Sequence, residues 1–448
     1  MYPLAPLCIL DVRAVTSSAL ECATPPIANL GSWKHHAGPE SFVYDLRRRA
    51  EKDLQVGISS LSCRNEVLSG TSTLAEVGLE DGDTVNAVVR RPTLASSIRC
   101  PSFVLIQGDG SLVTWGAGSS TSQPPCVQQV ALSETACAAV REAGDVVTWG
   151  EAKQCDTHLV QNHLKNVREV VATGHAFAAL REDGEVVTWG HIVSGGESNQ
   201  IRNKLHAVRQ IASSMHAFAA LRKDGSVVTW GENESGGDSS KVQAQLREVH
   251  AIIGADFAFT AVLFDGSVVT WGDEASGADS SHVQQDLFAV KQVVATCDAF
   301  AALRQDGRVV TWGDGAAGGD SSTVQEQLRG VRQVFASSRA FAAVRHDGSV
   351  VTWGDEACGG DSSLVQSQLQ GVREIAASSQ AFAAILDDGH VVTWGNKASG
   401  GDSQRVQGEL HSVEQVQGSR GAFAALREDG KLITWGHAAF GGSGPLGS

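Results

Sequence analysis

Methionine and tyrosine are nearly missing from this chain, with two residues of each among 448. It has no C-x-x-C pair either, although nine cysteines are scattered along it (Cys8, Cys22, Cys63, Cys100, Cys126, Cys137, Cys155, Cys297 and Cys358). An odd count without metal-ligand spacing reads as reduced thiols in a cytosolic or nuclear protein. No run approaches the ~18 apolar residues of a transmembrane helix, so no membrane association is expected. The opening "MYPLAPLCIL" has two prolines and no basic n-region, and is not read as a signal peptide. Basic charge is short: 35 Lys and Arg face 50 Asp and Glu, a net charge of −15. That argues against a nucleic-acid partner, which needs a basic patch.

Catalytic signatures are missing too. There is no H-E-x-x-H, G-x-S-x-G, P-loop or dinucleotide fingerprint. His175, His206, His216, His250, His346 and His411 show no metal spacing. Cys297 and Cys358 stand where sister segments have Ser or Ala, and read as small-residue variants. The expectation is therefore no enzyme, no cofactor and no metal.

What is abundant is glycine, with 49 residues, and a tryptophan that recurs in "TWG". Trp115, Trp149, Trp189, Trp230, Trp271, Trp312, Trp353, Trp394 and Trp435 are spaced by 34, 40, and then six times 41 residues. A fixed period of this length means a propeller or a solenoid. The nine units are read as one array over residues 92–442, and the tryptophans as its structural core. Trp33 lies outside it.

One unit, "SSTVQEQLRGVRQVFASSRAFAAVRHDGSVVTWGDEACGGD" (321–361), shows the local logic. Asp347-Gly348 reads as a two-residue hairpin turn between β-rich runs. The same turn recurs at Asp183-Gly184, Asp224-Gly225, Asp265-Gly266, Asp306-Gly307, Asp388-Gly389 and Asp429-Gly430. That turn sets Val344 opposite Val351 and Ala342 opposite Trp353, the small alanine leaving room for the indole. A third strand is expected at Val331–Ala336. Gly318-Gly319 reads as a flexible turn. Ser322 and Gln325 have capping-box spacing for a short helical turn, with an irregular outer strand as the alternative.

The recurring "A-F-A-A-L-x-x-D-G-x-V-V-T-W-G" resembles the β-propeller repeats of the regulator of chromosome condensation family. The likeness covers about 350 residues. It departs from that family in lacking most of the G-x-x-H-T before the second strand, with "ATGHAFAAL" around His175 nearest. The family's N-x-x-G-Q-L-G is replaced here by "GGDSS". Family propellers are typically seven-bladed, so nine units leave three options: seven blades plus hairpins, a larger ring or an open spiral. No leftover half-unit suggests closure by strand exchange.

Ahead of the array, 42–91 reads as the main part of a small α+β domain, with an amphipathic helix around Val43, Leu46 and Ala50. "VLSGTSTLAEVGLEDGDTVNAVV" resembles the C-terminal half of ubiquitin-like β-grasp domains at Leu68, Thr73, Leu74, Leu79, Asp83, Thr84 and Val85. Residues 1–41 are poorly defined and would hold the first strands. Arg90-Arg91-Pro92 stands where a conjugatable ubiquitin has Gly-Gly, and Ser62 where partners grip an apolar residue. Residues 443–448 read as a flexible tail, and "GPLGS" resembles a vector scar.

The fold class expected is thus mainly β: a propeller of about 41-residue blades plus a ubiquitin-like domain. The function expected is a non-catalytic protein-interaction scaffold, monomeric and cytoplasmic or nuclear. Its partner would bind loops held by the rigid array. Candidate interaction positions are Glu232, Asp273, Asp314, Asp355 and Glu356, in the tips after each tryptophan. Asp279, Asp320, Asp361 and Asp402 add carboxylates at a fixed offset, as turn or helix caps in preference to cation rings. The pairing of such propellers with a ubiquitin-like domain resembles the giant HECT-type ligases, although no HECT domain is present. The alternatives are a ubiquitin-ligase pathway component with the ligase on another chain, or, further off, an exchange-type regulator of a small GTPase.

Overall fold

A computed structural model of the chain describes residues 8–16, 32–37, 40–54, 58–64, 66–69, 72–80, 83–89, 91–117 and 124–445. Residues 446–448 of the expected tail lie outside the described residues, as do Arg90 and much of 1–41. The chain divides into two compact units, Met1–Thr93 with Leu105–Val113, and Leu94–Val104 with Thr114–Ser448. Among the described residues no helix is long and apolar enough to cross a membrane.

The first unit holds a five-stranded sheet and one helix. Strands β1 (Cys8–Thr16) and β2 (Ser32–Ala37) precede helix α1 (Val43–Leu54), and β3 (Ile58–Cys63), β4 (Glu66–Val67) and β5 (Thr84–Val89) follow it. The sheet order is β2-β1-β5-β3-β4, with β1 and β5 parallel and the other neighbours antiparallel. Val43, Leu46 and Ala50 share one helical face and are buried with Ile58, Leu61, Leu74, Val85 and Ala87. The buried Glu51 carboxylate accepts the Ile58 N–H at 3.0 Å and ties the helix to β3. Thr73 and Glu76 cap one another's backbone reciprocally, at 2.8 and 3.3 Å.

The second unit is a β-propeller-type array. Among the described residues it shows nine three-stranded antiparallel sheets, one for each tryptophan. Repeat 7 is representative: a first strand Val331–Ala336, a middle strand Ala340–Arg345 and a last strand Val350–Gly354. The middle strand is buried nearly throughout, because neighbouring repeats cover both of its faces. First strands of successive repeats touch one another, so they line the axis.

The register differs from the expected one by a residue. Phe341 lies opposite Trp353, Ala342 opposite Thr352 and Val344 opposite Val350. The turn has three residues, not two. Arg345 and Ser349 pair, Gly348 alone is left-handed at φ 78°, and Asp347 accepts the Ser349 N–H. This is the type I turn with a glycine bulge, and one extra loop residue shifts every cross-strand pair. Trp353 is therefore met by an aromatic ring instead of a small alanine. The Phe341 and Trp353 rings stack at 5.2 Å and 22°. Equivalent stacks recur from Phe103–Trp115 to Phe423–Trp435. In repeat 2 Cys137 takes the phenylalanine's place opposite Trp149.

Gly318-Gly319 is a rigid contact, not a flexible turn. A Cβ at Gly318, where φ is 94°, would stand 2.6 Å from the Phe341 ring of the next repeat. One at Gly319 would stand 2.4 Å from the Gly313 carbonyl oxygen. Beyond them the connector forms a helical turn with no fourth strand. Ser321, one residue before the expected cap, donates to Gln325 Oε1, and Gln325 Nε2 donates to the Val309 carbonyl.

Repeat 9 meets repeat 1 through the bonds that join the others. Trp115 Nε1 donates to Gly441 O at 3.0 Å, Ser96 Oγ to Gly418 O at 2.7 Å, and Gln415 exchanges two bonds with the Leu94 backbone. An open spiral is excluded.

Candidate functional site

The loop between first and middle strands has three residues in most repeats, each with its own task. Ser337 of repeat 7 accepts the Ala340 N–H and donates to the Cys358 carbonyl, closing the loop onto the tip after the tryptophan. Thr173, Ser214, Thr296, Ser378 and Ser419 donate to a tip carbonyl in the same way. The second residue bonds its backbone to its counterpart in the next repeat. Met215 N donates to Asp256 O, Asp256 N to Cys297 O, Cys297 N to Ser338 O and Ser338 N to Ser379 O, at 2.8–3.0 Å. Arg420 N to Cys100 O, at 3.0 Å, carries the series across the junction of repeats 9 and 1.

The third residue is free to vary, and it does: Thr135, His175, His216, Phe257, Asp298, Arg339 and Gln380 occupy it in repeats 2 to 8. Its carbonyl accepts the N–H of the residue after Trp-Gly, which is Glu151, His191, Glu232, Asp273, Asp314, Asp355 or Asn396. Two variable side chains per repeat are thereby set side by side on one face of the array. Rigid backbone bonds hold both, and only their chemistry changes around the face.

The face has two sectors. In repeats 6 and 7, Arg339 donates to Asp298 at 3.2 Å and Asp314 at 3.0 Å, and lies 3.7 Å from Asp355. Burial pushes the Asp298 carboxyl above its ordinary value, against the opposing pull of Ser276 and Arg339. In repeats 2 to 4, the rings of His175 and His216 stack at 5.6 Å, and His191 lies 6.4 Å from His175. Ser194 Oγ is 3.2 Å from His216 Nδ1 and 3.4 Å from His191 Nδ1. Burial holds the His216 imidazole below its ordinary value, which favours the neutral ring.

Repeat 1 departs from the three-residue rule. Its loop runs from Ser97 to Pro101, two residues longer than the others. The extra length carries Arg99 across the axis, where it donates to Asp256 Oδ1 of repeat 5 at 2.5 Å and to the Ser214 carbonyl of repeat 4 at 3.4 Å.

The expected interaction positions all lie in the tips. Asp273, Asp314 and Asp355 cap the short helical turn after the tryptophan by accepting from Ser276, Ala316 and Ala357. Glu232 accepts from Ser235 Oγ at 2.7 Å, and Glu356 is exposed. Asp279, Asp320, Asp361 and Asp402 each accept a backbone N–H two residues on. The nine tryptophans are buried, and the seven turn glycines all have positive φ. Among the described residues, no group of three or more His, Cys, Asp or Glu is placed to hold a metal ion. The variable residue before "AFAA" and the long loop of Arg99 were not singled out in the sequence. Stacking the units on their tryptophans would have shown the first, since its neighbours are nearly constant.

No family model matches the chain, and no curated protein matches it. Solved structures do resemble it. Yeast RCC1 (Prp20), crystallised with Kap60, is 15% identical with a TM-score of 0.39, covering 69% of this chain and 86% of that one. The CRINKLY WD40 ectodomain of the Arabidopsis thaliana receptor kinase ACR4 is 14% identical with a TM-score of 0.37, covering 68% and 95%. The C-terminal ubiquitin-like domain of human p59 OASL covers 22% of this chain and 99% of its own, at 19% identity and a TM-score of 0.17. The functional reading rests on the site itself.

Proposed function

We propose that this chain is a non-catalytic protein-interaction scaffold. Its array is a closed nine-bladed propeller, and the face bearing the paired variable residues is its recognition surface. One observation carries the reading: strands, turns and inter-repeat bonds are nearly invariant, while the third loop residue changes from His to Phe, Asp, Arg and Gln. A purely architectural position would keep one packing solution.

The first unit is a ubiquitin-like β-grasp domain that docks a second factor. Its order β2-β1-β5-β3-β4 around a single helix, with a parallel central pair, supports this. That domain also favours the second reading, substrate recognition for a ubiquitin ligase on another chain. On either reading this chain alone gives no ubiquitin discharge. Cys63, Cys100, Cys137, Cys155, Cys297 and Cys358 are free thiols, which fits a reducing cytoplasmic or nuclear setting.

Crosslinking mass spectrometry on the captured full chain tests the surface. Phe257→Lys, Gln380→Lys and Asn396→Lys should remove partner crosslinks, whereas Lys223→Glu and His346→Glu on the hairpin-turn face should not. Retention of every partner by the first set and release by the second would overturn the assignment.

A further inference from the structure

Carboxylates on the recognition face are treated differently in its two sectors. Asp256, Asp298, Asp314 and Asp355 are already met by guanidinium groups of the chain itself, those of Arg99 and Arg339. Glu134, Glu151 and Glu232, in repeats 2 to 4, have no lysine or arginine within ion-pair distance among the described residues. Glu151 is bonded by Thr135 and Gln154, Glu232 by Ser235, and Glu134 lies 3.8 Å from His175.

Two of the three border a cleft of about 670 Å³. Glu151 and Glu232 line it together with the three histidines and a single cation, Lys153. Its rim is apolar: Ile192 is 67% and Val193 53% exposed. The same two positions hold Asn233-Glu234, Glu274-Ala275, Gly315-Ala316, Glu356-Ala357 and Lys397-Ala398 in the next five repeats. Large aliphatic side chains stand in the tip only where the carboxylates lack an internal cation.

We propose that this cleft docks a segment of a protein partner carrying an arginine or lysine next to an aliphatic residue. The inference rests on the recognition face assigned above and names the chemistry it takes. The cationic head pairs with Glu151 and Glu232, as Arg339 pairs with Asp298 and Asp314 in the other sector. A guanidinium plane also stacks on flat rings such as the His175–His216 pair. The alkyl stem and the neighbouring aliphatic residue cover Ile192 and Val193.

Fluorescence anisotropy with the full chain tests this, using labelled eight-residue peptides at physiological salt. Alternating Arg-Leu should bind, Glu-Leu should not, and Arg-Gly should bind at least fivefold more weakly. The pair Glu151→Gln with Glu232→Gln should weaken the Arg-Leu peptide about tenfold, and Ile192→Ser with Val193→Ser by a similar factor. Glu182→Gln, in an exposed hairpin turn on the other face, should change it less than twofold. Equal binding of the Arg-Leu and Glu-Leu peptides, or no effect of the cleft variants, overturns the proposal. So does an equal loss with Glu182→Gln, which would mark a diffuse acidic surface. If the proposal falls while Phe257→Lys and Gln380→Lys still remove the partner crosslinks, the recognition face stands without it. If those two variants leave the crosslinks in place, the face falls as well.

Discussion

The indole Nε1 of Trp353 donates to the carbonyl oxygen of Gly318 in the preceding repeat, at 3.0 Å. The same bond joins Trp230 to Gly195, Trp271 to Gly236, Trp312 to Gly277, Trp394 to Gly359 and Trp435 to Gly400. Trp189 makes no such bond. Gln154 stands where a glycine should be, within the helical turn Ala152–Cys155, and the buried Trp189 indole N–H has no acceptor.

This contrast makes two otherwise equal substitutions unequal. Trp353→Phe removes the donor and leaves the buried Gly318 carbonyl unpaired, an added cost of about 1–3 kcal/mol. Trp189→Phe loses ring volume but no hydrogen bond, and should be the milder by about that amount. Trp115→Phe, at the junction of repeats 9 and 1, should behave like Trp353→Phe. Urea unfolding midpoints of the three variants check the order.

Two glycines twelve residues apart should respond in opposite measure. Gly318→Ala drives a Cβ into the Phe341 ring and strains a left-handed backbone, for a loss of about 2–4 kcal/mol. Gly330 also has positive φ, 62°, but a Cβ there meets nothing within 4 Å. Ala207 and Ala289 already occupy the equivalent position at φ 54° and 50°. Gly330→Ala should therefore cost only about 1–2 kcal/mol, the left-handed backbone alone. Thermal melts of both variants decide it.

Arg99 joins repeat 1 to repeats 4 and 5 across the axis, and both it and Asp256 are largely buried. Arg99→Met should destabilise the array by about 1–3 kcal/mol, because Asp256 keeps its charge without a cation. Arg99→Met with Asp256→Asn should recover part of that loss. A double-mutant cycle in urea measures the coupling, and additive effects would count against the bridge.

Acid should weaken the array through its turns. Asp224, Asp265 and Asp347 are held below the usual carboxylate value by hydrogen bonds from Ser226, Ser267 and Ser349. A carboxyl depressed in the folded state stabilises above its unfolded pKa and loses that contribution as pH falls through the folded value. Melting temperature should thus hold near neutrality and drop below about pH 4. Asp347→Asn should flatten part of that drop. A pH series of melts on both proteins reads the difference.

Much of the architecture was legible because it is written locally and nine times over. The tryptophan period gave the repeat count, Val331–Ala336 the first strand, and Val43, Leu46 and Ala50 the helix face. The register was not legible. Asp-Gly suits a two-residue or a three-residue turn, and the choice decides whether Ala342 or Phe341 meets Trp353.

The site was still less legible, since its parts are distant in sequence. His175 and His216 stack from repeats 41 residues apart, and Arg99 reaches Asp256 over 157 residues. The sequence by itself determined a stack of like sheets with buried tryptophans, because strand alternation, turn glycines and aromatic cores are short-range demands. Tertiary structure alone decided that repeat 9 returns to repeat 1 and that two variable residues per repeat share a face. Backbone bonds between repeats set those relations, and they depend on how sheets pack around an axis, which no single repeat encodes.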